Sequence, residues 1–241
     1  MEHHTSESKE SQGQVSAGTA ILSSSAKLLQ SFNPLGGICE SLCGLHLFPN
    51  DPKRQYIAYH YCHMIDEDRR QCLIYDSDSE TAKLVGVEYV ISEKLFKTLD
   101  ENEKKFWHSH KFEVESGMLV VNAKGMVPAV VAKTAEMPVM QGLVNTYGKA
   151  IQTWPVDDNG ECSCRVPTGP PQILASFTSD DQIRQDILDK RDKELGISTT
   201  EKRKEREGKI QGNPVVEGAD QWTKGKAWQI YDEGAHGSVR V

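Results

Sequence analysis

Three short segments with alternating apolar and polar side chains follow one another closely, and they constrain the fold more than any other feature. They span residues 56–63, 71–75 and 84–91, and only short polar segments separate them. Alternation with a period of two is typical of a β-strand with one buried face, and connections of this length join antiparallel neighbours. The sequence therefore predicts an α+β fold with a mostly antiparallel sheet and flanking helices.

Helix signals lie between and after these segments. Ser92 and Asp100 are typical N-caps, and Ser179 with Gln182 has capping-box spacing before a helix that Gly196 ends. Residues 135–147 are predicted to form a helix with Pro138 in its first turn. From residue 108 to residue 121 we expect one long strand.

Composition divides the chain into three parts. Residues 1–16 are almost free of apolar side chains and are predicted to be a disordered leader, because they bury too little surface to offset the entropy of ordering. Residues 17–196 are expected to form one α+β domain. Residues 197–241 are expected to form a charged helix and an irregular tail.

Charge and cysteine content narrow the class of protein. A net charge of −7 argues against a nucleic-acid-binding protein, which needs a basic surface. No apolar run approaches the roughly 20 residues that a transmembrane helix requires. The six cysteines lack paired CxxC spacing, and no apolar signal region precedes them. We therefore expect a cytoplasmic protein whose cysteines are reduced thiols.

Histidines give the clearest chemical signal. Five of the eight fall between residues 46 and 110, and the two in His108-x-His110 would share one face of a strand. Imidazoles from neighbouring strands, with a nearby carboxylate, would form a mixed site that suits a divalent metal such as Zn, Fe or Mn. The candidate ligands are His46, His60, His63, His108, His110, Glu113 and Glu115.

Three other interpretations of these residues remain open at the level of sequence. The histidines next to Trp107 and Phe112 are also compatible with a structural cluster in the core or at a protein–protein interface. Cys62 or Cys72 beside a histidine would be a candidate nucleophile if a base lay within hydrogen-bond reach. His-x-His followed by Glu115 resembles the first motif of the cupin barrels, but no histidine follows before His236 to supply the second motif.

Residues 17–48 are the least polar segment that is expected to lie at the surface. It is compatible either with a helix packed on the domain or with a segment that lies on a lipid or partner surface without crossing it. The apolar side chains proposed for such a contact are Ile21, Leu28, Leu29, Phe32 and Leu35.

Several long motifs are specific enough to indicate a protein family. The segments YHYCHMIDEDRRQCLIYD, WHSHKFEVESG, NTYGKAIQTW and GPPQILASFT occur in this order between residues 59 and 178. Together they resemble the plant oil body-associated protein family, which has fungal and bacterial members and contains a domain of unknown function. The resemblance covers roughly residues 17–195, and the segment around Cys162 and Cys164 and the tail beyond 196 depart from it.

The resemblance implies a soluble protein recruited to the surface of lipid droplets, where it influences droplet size or stability. It brings no established catalytic residues, and it leaves self-association open. The rival hypothesis is a small metal-dependent enzyme that uses His108 and His110 with His60, His63 or His46.

Overall fold

A computed structural model describes residues 16–123, 129–162, 164–225 and 229, except the side chains of 28, 129 and 130. The predicted disordered leader therefore lies almost wholly outside the described residues, as do His3, His4, His236 and the end of the predicted tail. The chain divides into two compact units, residues 1–37 and residues 38–241.

The first unit contains two described helices. They are α1 Ala17–Leu29 and α2 Asn33–Gly36. Ser16 caps α1, because its hydroxyl accepts a hydrogen bond from the amide of Thr19. Pro34 stands in the first turn of α2, where its missing N–H is no loss.

The second unit is built on one antiparallel sheet. The strands in its described part are β1 Ile38–Phe48, β2 Asp51–Asp66, β3 Arg69–Tyr75, β4 Leu84–Ser92, β5 His108–Ser109, β6 Val120–Val121, β7 Thr146–Gln152 and β8 Gln172–Leu174. Their order is β5-β7-β4-β3-β2-β1-β6, and β8 pairs with β7 beside this path. Every pairing is antiparallel, which confirms the predicted α+β class.

The sheet curls on itself. Ala175, just after β8, exchanges two backbone hydrogen bonds of 3.0 Å with Leu47 of β1. Since β8 also pairs with β7, this bridge brings the β1 and β7 sides of the sheet together. One face of the sheet thereby becomes a closed interior.

Helices surround this sheet. In the described part of the second unit they are α3 Glu93–Phe96, α4 Glu101–Lys104, α5 Lys111–Glu115, α6 Ala129–Leu143, α7 Gln185–Leu195 and α8 Thr199–Arg206. Gly196 ends α7 with a φ of 64°, as its position in the sequence predicts. Ser179 and Gln182 form the predicted capping box, but on a short 3₁₀ turn that precedes α7.

Two sequence-based predictions of elements are wrong. Residues 108–121 do not form one strand: β5 and β6 are two residues each, and α5 lies between them. The helix predicted at 135–147 is α6, which begins at Ala129 and places Pro138 in its interior. In residues 108–121 the apolar spacing fits either period, so alternation alone does not decide the conformation. For α6 the predicted type is correct and only its bounds are wrong, since Thr146 and Tyr147 belong to β7.

The segment 17–48 is not a single surface region. Ile38–Phe48 is β1, and its residues from Leu42 onward are buried. Only the part before Gly37 keeps its apolar side chains exposed, so the candidate surface segment shortens to residues 17–36.

The prediction of six reduced thiols is also wrong. Cys62 of β2 and Cys72 of β3 lie directly opposite each other in the ladder and form a disulfide. Within the described residues, Cys39, Cys43, Cys162 and Cys164 form no disulfide. The spacing of ten residues gives no sign of this pairing, because it depends on the register of two strands.

Candidate functional site

The interior of the curled sheet collects polar side chains from three strands. Side chains alternate between the two faces of a strand, so His46 of β1, His60 of β2 and Glu88 of β4 point to the same interior. Each of the three is at most 4% exposed. The Nε2 atoms of His46 and His60 lie 3.1 Å apart.

Two more histidines, His108 and His110, point into the same interior. His108 lies in β5 and pairs with Gly148 of β7, and His110 stands at the N-terminal end of α5. The turn from β5 into α5 directs both rings inward, with centroids 5.2 Å apart. The ring of His108 also lies 5.4 Å from that of His46.

Glu88 is the centre of this cluster. Its Oε1 lies 3.0 Å from Nε2 of His108 and 3.4 Å from Nε2 of His110. Its Oε2 lies 3.3 Å from Nε2 of His60. Each carboxylate oxygen therefore faces its own group of imidazoles, and Glu88 belongs to two sets of groups that are close enough to share a metal ion.

The buried environment shifts two carboxyl groups in opposite directions. Burial acts to raise the pKa of Glu88, but the surrounding imidazoles of His108, His110 and His60 outweigh it and hold the pKa well below its usual range. Burial raises the pKa of Glu113 to about 7, although the nearby His108 opposes this shift. The site thus holds one firmly ionised carboxylate.

Contacts outside the cluster fix the protonation of two rings. Nδ1 of His46 lies 3.3 Å from the carbonyl oxygen of Ala175, to which it donates. Nδ1 of His110 lies 2.8 Å from Oγ1 of Thr146, and that hydroxyl donates its own hydrogen to the Leu143 carbonyl at 2.7 Å. Thr146 therefore accepts from His110. Burial lowers the pKa of His46 to about 3, so this ring is neutral and its Nε2 carries a lone pair.

Other ring nitrogens have no hydrogen-bond partner. These are Nδ1 of His60 and both nitrogens of His108. Nε2 of His108 is 3.0 Å from Glu88, but its direction departs from that of a hydrogen bond. A buried polar atom without a partner costs free energy of folding, so several of them in one cluster indicate that a bound group is their partner.

A glycine and a small cavity border the cluster. A Cβ placed on Gly148 would lie 2.1 Å from Oε1 of Glu88, 2.6 Å from Nε2 of His108 and 2.8 Å from Nε2 of His110. A cavity of about 20 Å³ lies against His60 and Glu113, which is room for a water-sized molecule.

The structure brings together most, but not all, of the predicted metal ligands. His46, His60, His108, His110 and Glu113 are buried around one interior. His63 lies on the other face of β2, with Nδ1 3.4 Å from the Gln71 side-chain amide. Glu115 binds Lys111 at 2.5 Å and the Gly212 amide at 2.7 Å. His63 and Glu115 are therefore removed from the predicted set of metal ligands, because both lie away from the cluster.

Sequence reasoning missed Glu88. The signal was present, because Glu88 occupies an inward position in the apolar strand β4, where a charged residue requires a partner. The nucleophile hypothesis for Cys62 or Cys72 is wrong for the disulfide-bonded state, because neither sulfur is then a thiol.

The candidate lipid or partner contact residues lie in the first unit. Ile21 is 67% exposed and Leu29 is 86% exposed on α1, and Phe32 and Leu35 are about half exposed. The side chain of Leu28 lies outside the described residues. Leu22, which the prediction did not include, is 72% exposed and belongs to the same group. No helix in the described part of the chain is long and apolar enough to span a membrane.

Comparisons with known proteins identify the family of this chain. Residues 32–210 match the model of the protein family of unknown function DUF1264. The chain is 41% identical over 189 residues to oil body-associated protein 1A of Zea mays, covering 78% of this chain and 75% of that protein. It is 38% identical to oil body-associated protein 1B of Arabidopsis thaliana, covering 78% and 74%. No solved structure matches the chain.

Proposed function

We propose that this chain, which belongs to the DUF1264 family of oil body-associated proteins, associates with the surface of oil bodies. The proposal rests on the names of its relatives, which are 28–41% identical over most of the chain. We further propose that a bound layer of this protein limits droplet coalescence and so influences droplet size or stability.

The observation that carries this proposal is the exposed apolar stripe of α1. Successive residues of a helix are rotated by about 100°, so Ile21, Leu22 and Leu29 lie on one side. All three are more than 60% exposed. Ala20, Ser23 and Lys27 lie on the opposite side, and Lys27 is the only charged residue of the helix.

This arrangement fits a helix that lies at an interface and does not cross it. Burial of apolar surface contributes a free energy of about 25 cal/mol per Å², so a few large side chains give only modest, reversible attachment. Phe32 and Leu35 extend the apolar surface beyond the end of α1. Peripheral attachment of this kind needs no membrane-spanning hairpin.

The test uses flotation of full-length protein with triacylglycerol droplets coated with phospholipid. We expect Ile21→Glu/Leu29→Glu to reduce the floated fraction several-fold, because two carboxylates would have to enter the apolar surface. The matched control, Ala20→Glu/Ser23→Glu, adds the same charge at exposed positions on the opposite side of the helix and should float like the wild type. Equal flotation of the wild type and the Ile21/Leu29 variant would overturn the assignment of α1.

The effect on droplet size has its own measurement. Droplets incubated with the wild type should coarsen more slowly than bare droplets, as followed by dynamic light scattering. Coarsening at the bare rate, under conditions in which the protein is bound, would refute the role while leaving surface association intact.

A further inference from the structure

We propose that Glu88, His108 and His110 bind one divalent transition-metal ion in the space in front of Gly148, with His60 holding the second oxygen of Glu88. This inference goes beyond oil body association and does not depend on it. A donor set of one carboxylate and imidazole nitrogens, without thiolate, suits Zn²⁺, Mn²⁺ or Fe²⁺.

The spacing of the donor atoms is that of a coordination shell. Ligands at about 2.1 Å from an ion are about 3.0–3.4 Å apart at tetrahedral or octahedral angles. The separations of Glu88 Oε1 from Nε2 of His108 and His110 are 3.0 and 3.4 Å. Hydrogen bonds also have such lengths, so the hydrogen-bond partners of the ring nitrogens must distinguish the two.

The unpartnered nitrogens favour an ion. Nδ1 of His110 donates to Thr146, so the other nitrogen of that ring, Nε2, is the one that faces Glu88. Both ring nitrogens of His108 lack a hydrogen-bond partner, although its Nε2 lies 3.0 Å from Oε1 of Glu88. A metal ion would be bound by Nε2 of both rings and by the carboxylate together.

The backbone leaves a place for the ion. The Cβ position of Gly148 is 2.1, 2.6 and 2.8 Å from the three donor atoms, so these atoms converge on a point that any other residue would fill. The hydrogen bond from His110 to Thr146 is the outer contact that orients a metal-binding histidine. Convergent donors, an oriented ring and unpartnered nitrogens are independent observations that agree.

The first experiment measures metal in untagged full-length protein, stripped with a chelator, reloaded with Zn²⁺ and desalted. Elemental analysis should find about one ion per folded chain. Glu88→Gln and His108→Ala/His110→Ala should lose most of this metal. His3→Ala/His4→Ala is the matched control, since it also removes two neighbouring histidines, and it should retain the wild-type amount.

The proposal is overturned if the folded wild type retains no ion after separate reloading with Zn²⁺, Mn²⁺ and Fe²⁺, or if the folded Glu88→Gln protein retains as much as the wild type. Because these variants can fail to fold, X-ray absorption of the zinc-loaded wild type supplies a second test. It should show nitrogen and oxygen neighbours with imidazole scattering, whereas sulfur neighbours would place the ion at the cysteines and refute the site.

Discussion

Gly148 and Glu88 are neighbours that leave no room for a side chain between them, since a Cβ on Gly148 would lie 2.1 Å from Oε1 of Glu88. This glycine lies opposite His108 in the ladder between β5 and β7. It therefore connects the register of the sheet to the geometry of the histidine cluster.

Gly148→Ala should lower stability by about 1–3 kcal/mol, because the added methyl group must displace Glu88 or the two imidazoles. Metal retention should fall in the same variant. Thermal unfolding with and without Zn²⁺ measures both effects. Gly142→Ala in α6 is the control, because its new Cβ would have no described contact closer than 3.6 Å and should leave the metal content unchanged.

Thr146→Val tests the orientation of His110. Valine has the shape of threonine but cannot accept the Nδ1 hydrogen, so we expect a 10–100-fold loss of metal affinity. Competition with a chromogenic chelator measures it. Thr153→Val lies past the end of β7 and should bind as the wild type does. Unchanged affinity in Thr146→Val would contradict the assigned ring protonation.

Arg206→Ala should destabilise the second unit by about 3–5 kcal/mol, because it leaves buried Glu136 with an incomplete set of partners. The Arg206 guanidinium also donates to the carbonyls of Val114 and Leu119, at 2.6 and 2.9 Å, and lies 3.0 Å from Glu136. Urea unfolding at constant slope gives the change. Lys204→Ala removes an exposed pair with Glu201 and should cost less than about 1 kcal/mol.

Cysteine labelling tests the disulfide. In native protein prepared without reductant, iodoacetamide should modify exposed Cys39, whereas Cys62 and Cys72 should appear as one linked peptide pair in mass spectrometry. Burial raises the pKa of Cys162 to about 12, and because the thiolate is the reacting form, this residue should label slowly at pH 8. Labelling of Cys62 and Cys72 at the rate of Cys39 would show that they are unpaired.

Local patterns determined the class of fold and several of its boundaries. Alternation and short connections predict the antiparallel ladder of β2, β3 and β4, because both depend on residues close in sequence. Ser92, Asp100 and Gly196 act at helix ends as predicted, since capping is a contact over three or four residues. The family also follows from contiguous motifs.

The tertiary structure decided which of the predicted residues meet. Alternation along β2 puts His60 and His63 on opposite faces, but the pairing and curl of the sheet decide that the face of His60 is the buried interior. Glu88 joins the histidines, and Cys62 meets Cys72, only through strand pairing across loops of different lengths. Histidine content is a property of the sequence alone, whereas convergence on one carboxylate depends on how the sheet curls, which long-range packing sets.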